Sequence, residues 1–174
     1  MERIKVSKYF HLDEFIDPHT YINESDNGLS KIDKQLFEIA DFVREKYGAP
    51  LEINNWWYFM QTQLKFEKDI DKIITKIEKE PTVRKWSGLR TSRCTIGSPT
   101  SAHRLGKAID MKGYSNKLDK IVKNNLKALH TLGLRRIEDV GITPTWLHLD
   151  TLAKNVGPKE IRIITKTTGS NIAI

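Results

Sequence analysis

Ser101, His103 and Asp110 stand within the run SAHRLGKAID, and His148 and Asp150 follow far downstream in TWLHLD. Imidazole and carboxylate are the ligand types that zinc accepts when no thiolate is at hand, and a three-ligand set leaves one position for water, as catalytic sites do. His103, Asp110 and His148 are therefore the predicted metal ligands and Zn2+ the predicted ion. Gly106 lies between the first two, where a residue without a β-carbon lets the chain turn so that both side chains converge. In an extended segment around His148, the residues Trp146, His148 and Asp150 share one side, and Leu147 and Leu149 share the other. The leucines belong to a core. His148 then faces the open side with Asp150 beside it, either as a spare ligand or as the outer carboxylate that orients a metal-bound imidazole. Taken singly, each histidine reads better as a residue satisfied by an ordinary hydrogen bond.

These side chains need a scaffold to position them. The 174-residue chain fits one domain, 1–174, and its 39% apolar content is too high for a disordered protein. Cys94 is the sole cysteine, which excludes an internal disulfide and a thiolate-built metal site. Leu29, Ile32, Leu36, Ile39, Ala40, Val43 and Tyr47 draw one helical stripe, capped by Ser30 and stopped by Gly48 and Pro50. Leu51 to Trp57 is short and rich in large residues, which predicts a strand. Phe66, Ile70, Ile73, Ile74 and Ile77 set a second stripe, ended by Pro81. Leu118, Ile121, Val122, Leu126, Leu129 and Leu132 set a third, from a cap at Ser115 or Asn116 to Gly133. Trp86 to Pro99 has no periodicity and reads as a loop. Strands are predicted over 135–140, 145–151 and 160–166. Helices first and strands last predict an α+β fold with helices packed on an antiparallel sheet.

SAHRLGKAID resembles the SxHxxGxAxD signature of the zinc D-alanyl-D-alanine carboxypeptidases and the related phage endolysin peptidases, and WLHLD resembles their closing HxD motif. YFHLDEFID is similar to the family's opening FxxxEF segment, VREKYGAPLEINNWW to its helix-to-strand passage, and WSGLR to its SGxR element. Most of the chain is covered; residues 58–85 look like an inserted helical segment. The resemblance implies a hedgehog/DD-peptidase-like fold. It also implies zinc-dependent hydrolysis of an amide bond next to a D-amino acid in a peptidoglycan stem peptide. Carried over position by position, His103, Asp110 and His148 hold zinc, and Arg90 and Ser101 hold a substrate carboxylate or carbonyl. A guanidinium fork suits that role, whereas Ser101 reads equally as a turn residue.

One position departs from the pattern. Many relatives place the acid–base glutamate three residues before the last zinc histidine, and here that residue is Thr145. Glu138 and Asp139, on the strand expected to pair with that of His148, are the predicted replacements, and only one of the two can face the metal. His130 is a further candidate. If none serves, the protein has kept the fold as a structural or virion component.

The net charge of +7 favours polyanionic partners, yet the basic residues are spread along the chain without a run. That pattern reads as a solvated surface and argues against specific nucleic-acid binding; charge alone does not choose among polyanions, and an anionic cell wall is the partner that the resemblance implies. The opening segment lacks the apolar core of a secretion signal, and no apolar stretch approaches a membrane helix. The expectation is a protein made in the cytoplasm that acts at the wall after release or as part of a virion.

Overall fold

The computed structural model describes residues 2–174, with the side chains of 25 and 26 excepted. Asp17 opens α1 (Pro18–Ser30) by accepting a hydrogen bond from the Thr20 amide, and Pro18 supplies a first-turn φ. Leu36, Ile39, Ala40, Val43 and Tyr47 form the buried stripe of α2 (Gln35–Tyr47), which stops where Gly48 turns left-handed at φ 75°. Two short helices follow, α3 (Trp56–Gln63) and α4 (Ile70–Lys79), the second capped by Asp69. After β1 (Ala108–Met111) come α5 (Ser115–Asn124) and α6 (Leu126–Thr131). The chain ends with β2 (Arg136–Glu138), β3 (Leu147–Asp150), β4 (Glu160–Ile164) and β5 (Gly169–Ala173).

The five strands form one sheet in the order β1-β3-β2-β4-β5. The fold is α+β, but the sheet is mixed and not purely antiparallel as the sequence predicted. The reason is a step in the connection 151–159. It carries the chain from β3 past β2, so β4 runs opposite to β3 and pairs parallel to β2.

Other boundaries also differ. Leu29 closes α1 and does not begin α2. Of the strand expected over 51–57, only a bridge between Glu52 and Lys112 forms, and Trp56 starts a helix. Trp56 and Trp57 pack edge-on against each other and against Tyr21, so tertiary aromatic packing overrides their β preference. Phe66 lies outside α4 and is 85% exposed, whereas Ile74 and Ile77 anchor that helix to the domain. The third stripe breaks at Asn125 into α5 and α6. β1 and β5 were not anticipated.

Register decides what the sheet shows to solvent. Ile109 pairs with Leu149, and Leu149 with Ile137, all fully or almost fully buried in a core shared with the helical stripes. Each such side chain contributes roughly 1.5–3 kcal/mol by leaving water. Because facing alternates, the same register puts Asp110 opposite His148 and Arg136 opposite Asp150 on the other face. The apolar residues of the strands thus set the position of the polar ones.

Candidate metal centre

His103 is carried by a tight turn ahead of β1, closed by hydrogen bonds from the Gly106 amide to the His103 carbonyl (3.2 Å) and from Lys107 to Ala102 (2.8 Å). Gly106 adopts φ 65°, and a Cβ there would run into the Lys31 carbonyl, so the turn demands glycine. Asp110 and His148 come from adjacent strands in direct register.

Residues 87–90, Ser-Gly-Leu-Arg, stitch these parts together. The Ser87 carbonyl accepts from the Asp110 amide (2.7 Å), and the Arg90 amide donates to the His103 carbonyl (3.1 Å). The Gly88 carbonyl accepts from His103 Nδ1 (2.7 Å), and the Leu89 amide donates to the Phe15 carbonyl (2.7 Å). A Cβ at Gly88 would collide with that Phe15 peptide. The N-terminal segment therefore bears directly on the loop that sets His103.

The hydrogen bonds also fix the imidazoles. A carbonyl can only accept, so His103 carries its proton on Nδ1 and points the Nε2 lone pair inward. His148 donates from Nε2 to Asp150 Oδ2 (3.2 Å), which turns Nδ1 inward. His103 Nε2 lies 3.2 Å from His148 Nδ1 and 3.2 Å from Asp110 Oδ1, and the third edge, His148 Nδ1 to Asp110 Oδ1, is 2.8 Å. Tetrahedral bonds of about 2.0–2.1 Å give edges of roughly 3.3 Å, so one ion satisfies all three atoms with shifts of a few tenths of an ångström. All three residues are buried, and three electron-pair donors this close need a cation between them. These residues can hold a metal ion.

Without metal, a proton stands in for the cation. Burial alone would lower the His148 pKa, but hydrogen bonds to Asp110 and Asp150 outweigh it and push it up to about 10. Burial alone would raise the Asp110 pKa, yet hydrogen bonds from His103 and His148 hold it well below the usual carboxylate range.

Comparison with protein-family models, curated proteins and solved structures finds no match. The chemistry of the centre therefore has to be read from its own residues.

The centre opens on a cleft of about 440 Å³ whose walls include Arg90, Ser101, Arg136, Glu138, Trp146 and Lys154. Glu138 faces this cleft. Asp139 points away, accepting from Lys123 Nζ (3.0 Å) and the Gly141 amide (2.9 Å). His130, on α6, contacts the Pro158 carbonyl, and Thr145 is exposed; neither lines the cleft. Asp150 has no exposed surface and stands behind His148, outside the ligand triangle. Arg90 donates from Nη2 to Asp110 Oδ2 (3.0 Å) and from Nε to the Trp86 carbonyl (2.8 Å), which fixes the second oxygen of a ligand carboxylate.

Two contributors escaped the sequence reading. The Gly88 carbonyl leaves no trace in side-chain chemistry, and the SGLR run, which singled out Arg90, was the nearest signal to it. Arg136 donates from Nε to both oxygens of Asp150 (2.9 and 3.0 Å), and its alternation with Glu138 was a usable signal. Among the described residues, no helix is long and apolar enough to cross a membrane.

Proposed function

We propose that this protein is a zinc-dependent peptidase that hydrolyses an amide bond in a peptidoglycan stem peptide, with the hedgehog/DD-peptidase fold and a phage or prophage origin. The observation that carries the reading is the convergence of two correctly oriented imidazole lone pairs and one carboxylate oxygen at the floor of an open cleft. Zinc bound there supplies Lewis acidity, which acidifies water to a pKa of about 7 and polarises a carbonyl.

The protein's own groups do the rest. Glu138, on the cleft wall, takes the proton from the attacking water and returns it to the leaving amine, the role for which Thr145 has no basic group. Asp150 and the Gly88 carbonyl keep each histidine in its metal-binding tautomer, and Arg90 keeps Asp110 from rotating. Ser101 offers a hydroxyl to the substrate backbone from the rim. The positive net charge draws the protein to anionic walls.

The test joins elemental analysis of purified protein with a peptidoglycan digest read by mass spectrometry. About one zinc per chain and released peptide fragments are expected. Glu138→Gln should then reduce turnover by a factor on the order of 10²–10⁴ with zinc retained, and Asp139→Asn should be nearly silent. A second reading, a scaffold or virion protein that kept the fold, is favoured by Thr145 at the usual glutamate position. It wins if zinc-loaded parent digests nothing; because Thr145 lies outside the cleft, Thr145→Glu alone is not expected to restore activity.

A further inference from the structure

A second cleft, of about 480 Å³, shares no lining residue with the one over the metal centre. Tyr9 and Glu14 of the N-terminal segment border it, with Arg44 of α2, Trp57 and Tyr58 of α3, and Lys112 directly after β1. Glu14 is its half-buried acid. The Glu14 Oε2 accepts from the His11 amide (3.0 Å) and lies 3.5 Å from Arg3 Nη2, but Arg3 is already bonded to both oxygens of Asp13 (2.9 and 2.7 Å). Glu14 Oε1 has no hydrogen-bond partner among the described residues, and it keeps contact with solvent. Burial outweighs the contacts that Glu14 does make and pushes its pKa up to about 7. A carboxyl held that high gains from any further cation placed against it.

The cations on the other walls are also unmatched. Arg44, 5.2 Å over the Tyr9 ring, and the exposed Lys112 make no side-chain hydrogen bond and have no carboxylate within 4 Å among the described residues. Even Glu52, joined to Lys112 by backbone hydrogen bonds of 2.7 and 3.3 Å, turns its carboxylate to Asn55 Nδ2 (3.2 Å) and Arg84 Nε (3.6 Å). Charges of both signs that the protein does not pair with each other therefore border one space. Trp57 and the 70% exposed Tyr58 add aromatic surface to it. A ligand carrying both charges complements both kinds of group, its ammonium against Glu14 and its carboxylate against Arg44 or Lys112, while the rings pack its apolar part.

We infer that this cleft binds a small zwitterion, an amino acid or a dipeptide with free termini. The site is separate from the metal centre, and the inference does not depend on the peptidase reading.

The test is calorimetry with phenylalanine and with alanyl-phenylalanine, each also as its N-acetyl derivative, which lacks the ammonium, and as its C-terminal amide, which lacks the carboxylate. EDTA is present, so that a chelate at the metal centre contributes nothing. At least one zwitterion should bind with a Kd of about 1 mM or below, and its blocked forms at least about tenfold more weakly. Glu14→Gln keeps an acceptor for the His11 amide. It should bring the advantage over the N-acetyl form to within about twofold of unity and leave the advantage over the amide. The double variant Arg44→Gln/Lys112→Gln, which removes no hydrogen bond among the described residues, should erase the advantage over the amide instead. Amide resonances of residues 9–14 and 52–58 should shift on binding, and those of 146–154 should stay in place. Neither heat nor shifts from either zwitterion at about 10 mM, equal affinity for a blocked form, or shifts confined to 146–154 overturns the inference. So does an ammonium preference that survives Glu14→Gln, or a carboxylate preference that survives the double variant.

Discussion

His148 holds two opposed partners, Asp110 on Nδ1 and Asp150 on Nε2, and its protonation governs how the centre loads. With its pKa at about 10 in the metal-free protein, His148 is an imidazolium at neutral pH. An incoming cation must displace that proton, so apparent metal affinity should rise about tenfold per pH unit between pH 6 and 8. Calorimetry in two buffers of different ionisation heat should register about one proton released per ion at pH 7. A proton count near zero would mean that His148 is already neutral and that the hydrogen bonds to Asp110 and Asp150 do less than described. The same raised pKa stabilises the metal-free fold. That stabilisation is complete below the ordinary histidine value of 6.5 and is lost as pH climbs to about 10.

Among the elements, the SGLR loop is a junction at which four consecutive residues bond to the N-terminal segment, to His103 and to Asp110. Gly88→Ala should destabilise the protein by about 1–3 kcal/mol as the Phe15 peptide is pushed aside. It should also weaken metal binding, since the Gly88 carbonyl moves with it. Denaturant melts and metal competition measure the two effects, and a stable variant with unaltered affinity would disprove the coupling. The strand of His148 was legible because Leu147 and Leu149 alternate with His148 and Asp150 in a half-buried pattern. β1 was not, since the small Ala108 stands on the same face as Asp110 and no alternation of large and polar residues marks its four buried positions. Asp110 was found by chemistry and not by periodicity. The parallel pairing of β2 with β4 was invisible because no local pattern records which strand a nine-residue connection will step across. Trp56 and Trp57 misled because large aromatics mark strands on average, and here their packing partner Tyr21 decides.

For the whole molecule, an ion held by His103, Asp110 and His148 would bind only where both sequence-distant motifs have been brought together, so occupancy would stabilise the native state as such. At a free metal concentration a hundredfold above Kd the gain is about 2.7 kcal/mol. For a chain of 174 residues, that corresponds to a fall in Tm of roughly 5–10 °C on chelation. Scanning calorimetry with and without chelator measures it, and an unchanged Tm in protein shown to carry metal would contradict the assignment of buried ligands. The separation along the chain gives the ion a second property. His103 and Asp110 lie in one turn-and-strand unit and His148 in another, so an ion held there would cross-link chain positions that are far apart in the unfolded state.

The contact between Leu89 and Phe15 has a consequence for how the centre is observed from afar. The Leu89 amide proton points to Phe15 and away from the ligands, yet it belongs to the same planar peptide unit as the Gly88 carbonyl that accepts from His103. Hydrogen–deuterium exchange at this one amide should therefore slow when metal is added, although no ligand atom touches it. An amide in the α3–α4 region, such as that of Lys72 on exposed α4, should keep its rate. The N-terminal segment would then act as a clock for the centre, reporting in minutes of exchange whether the ion is in place.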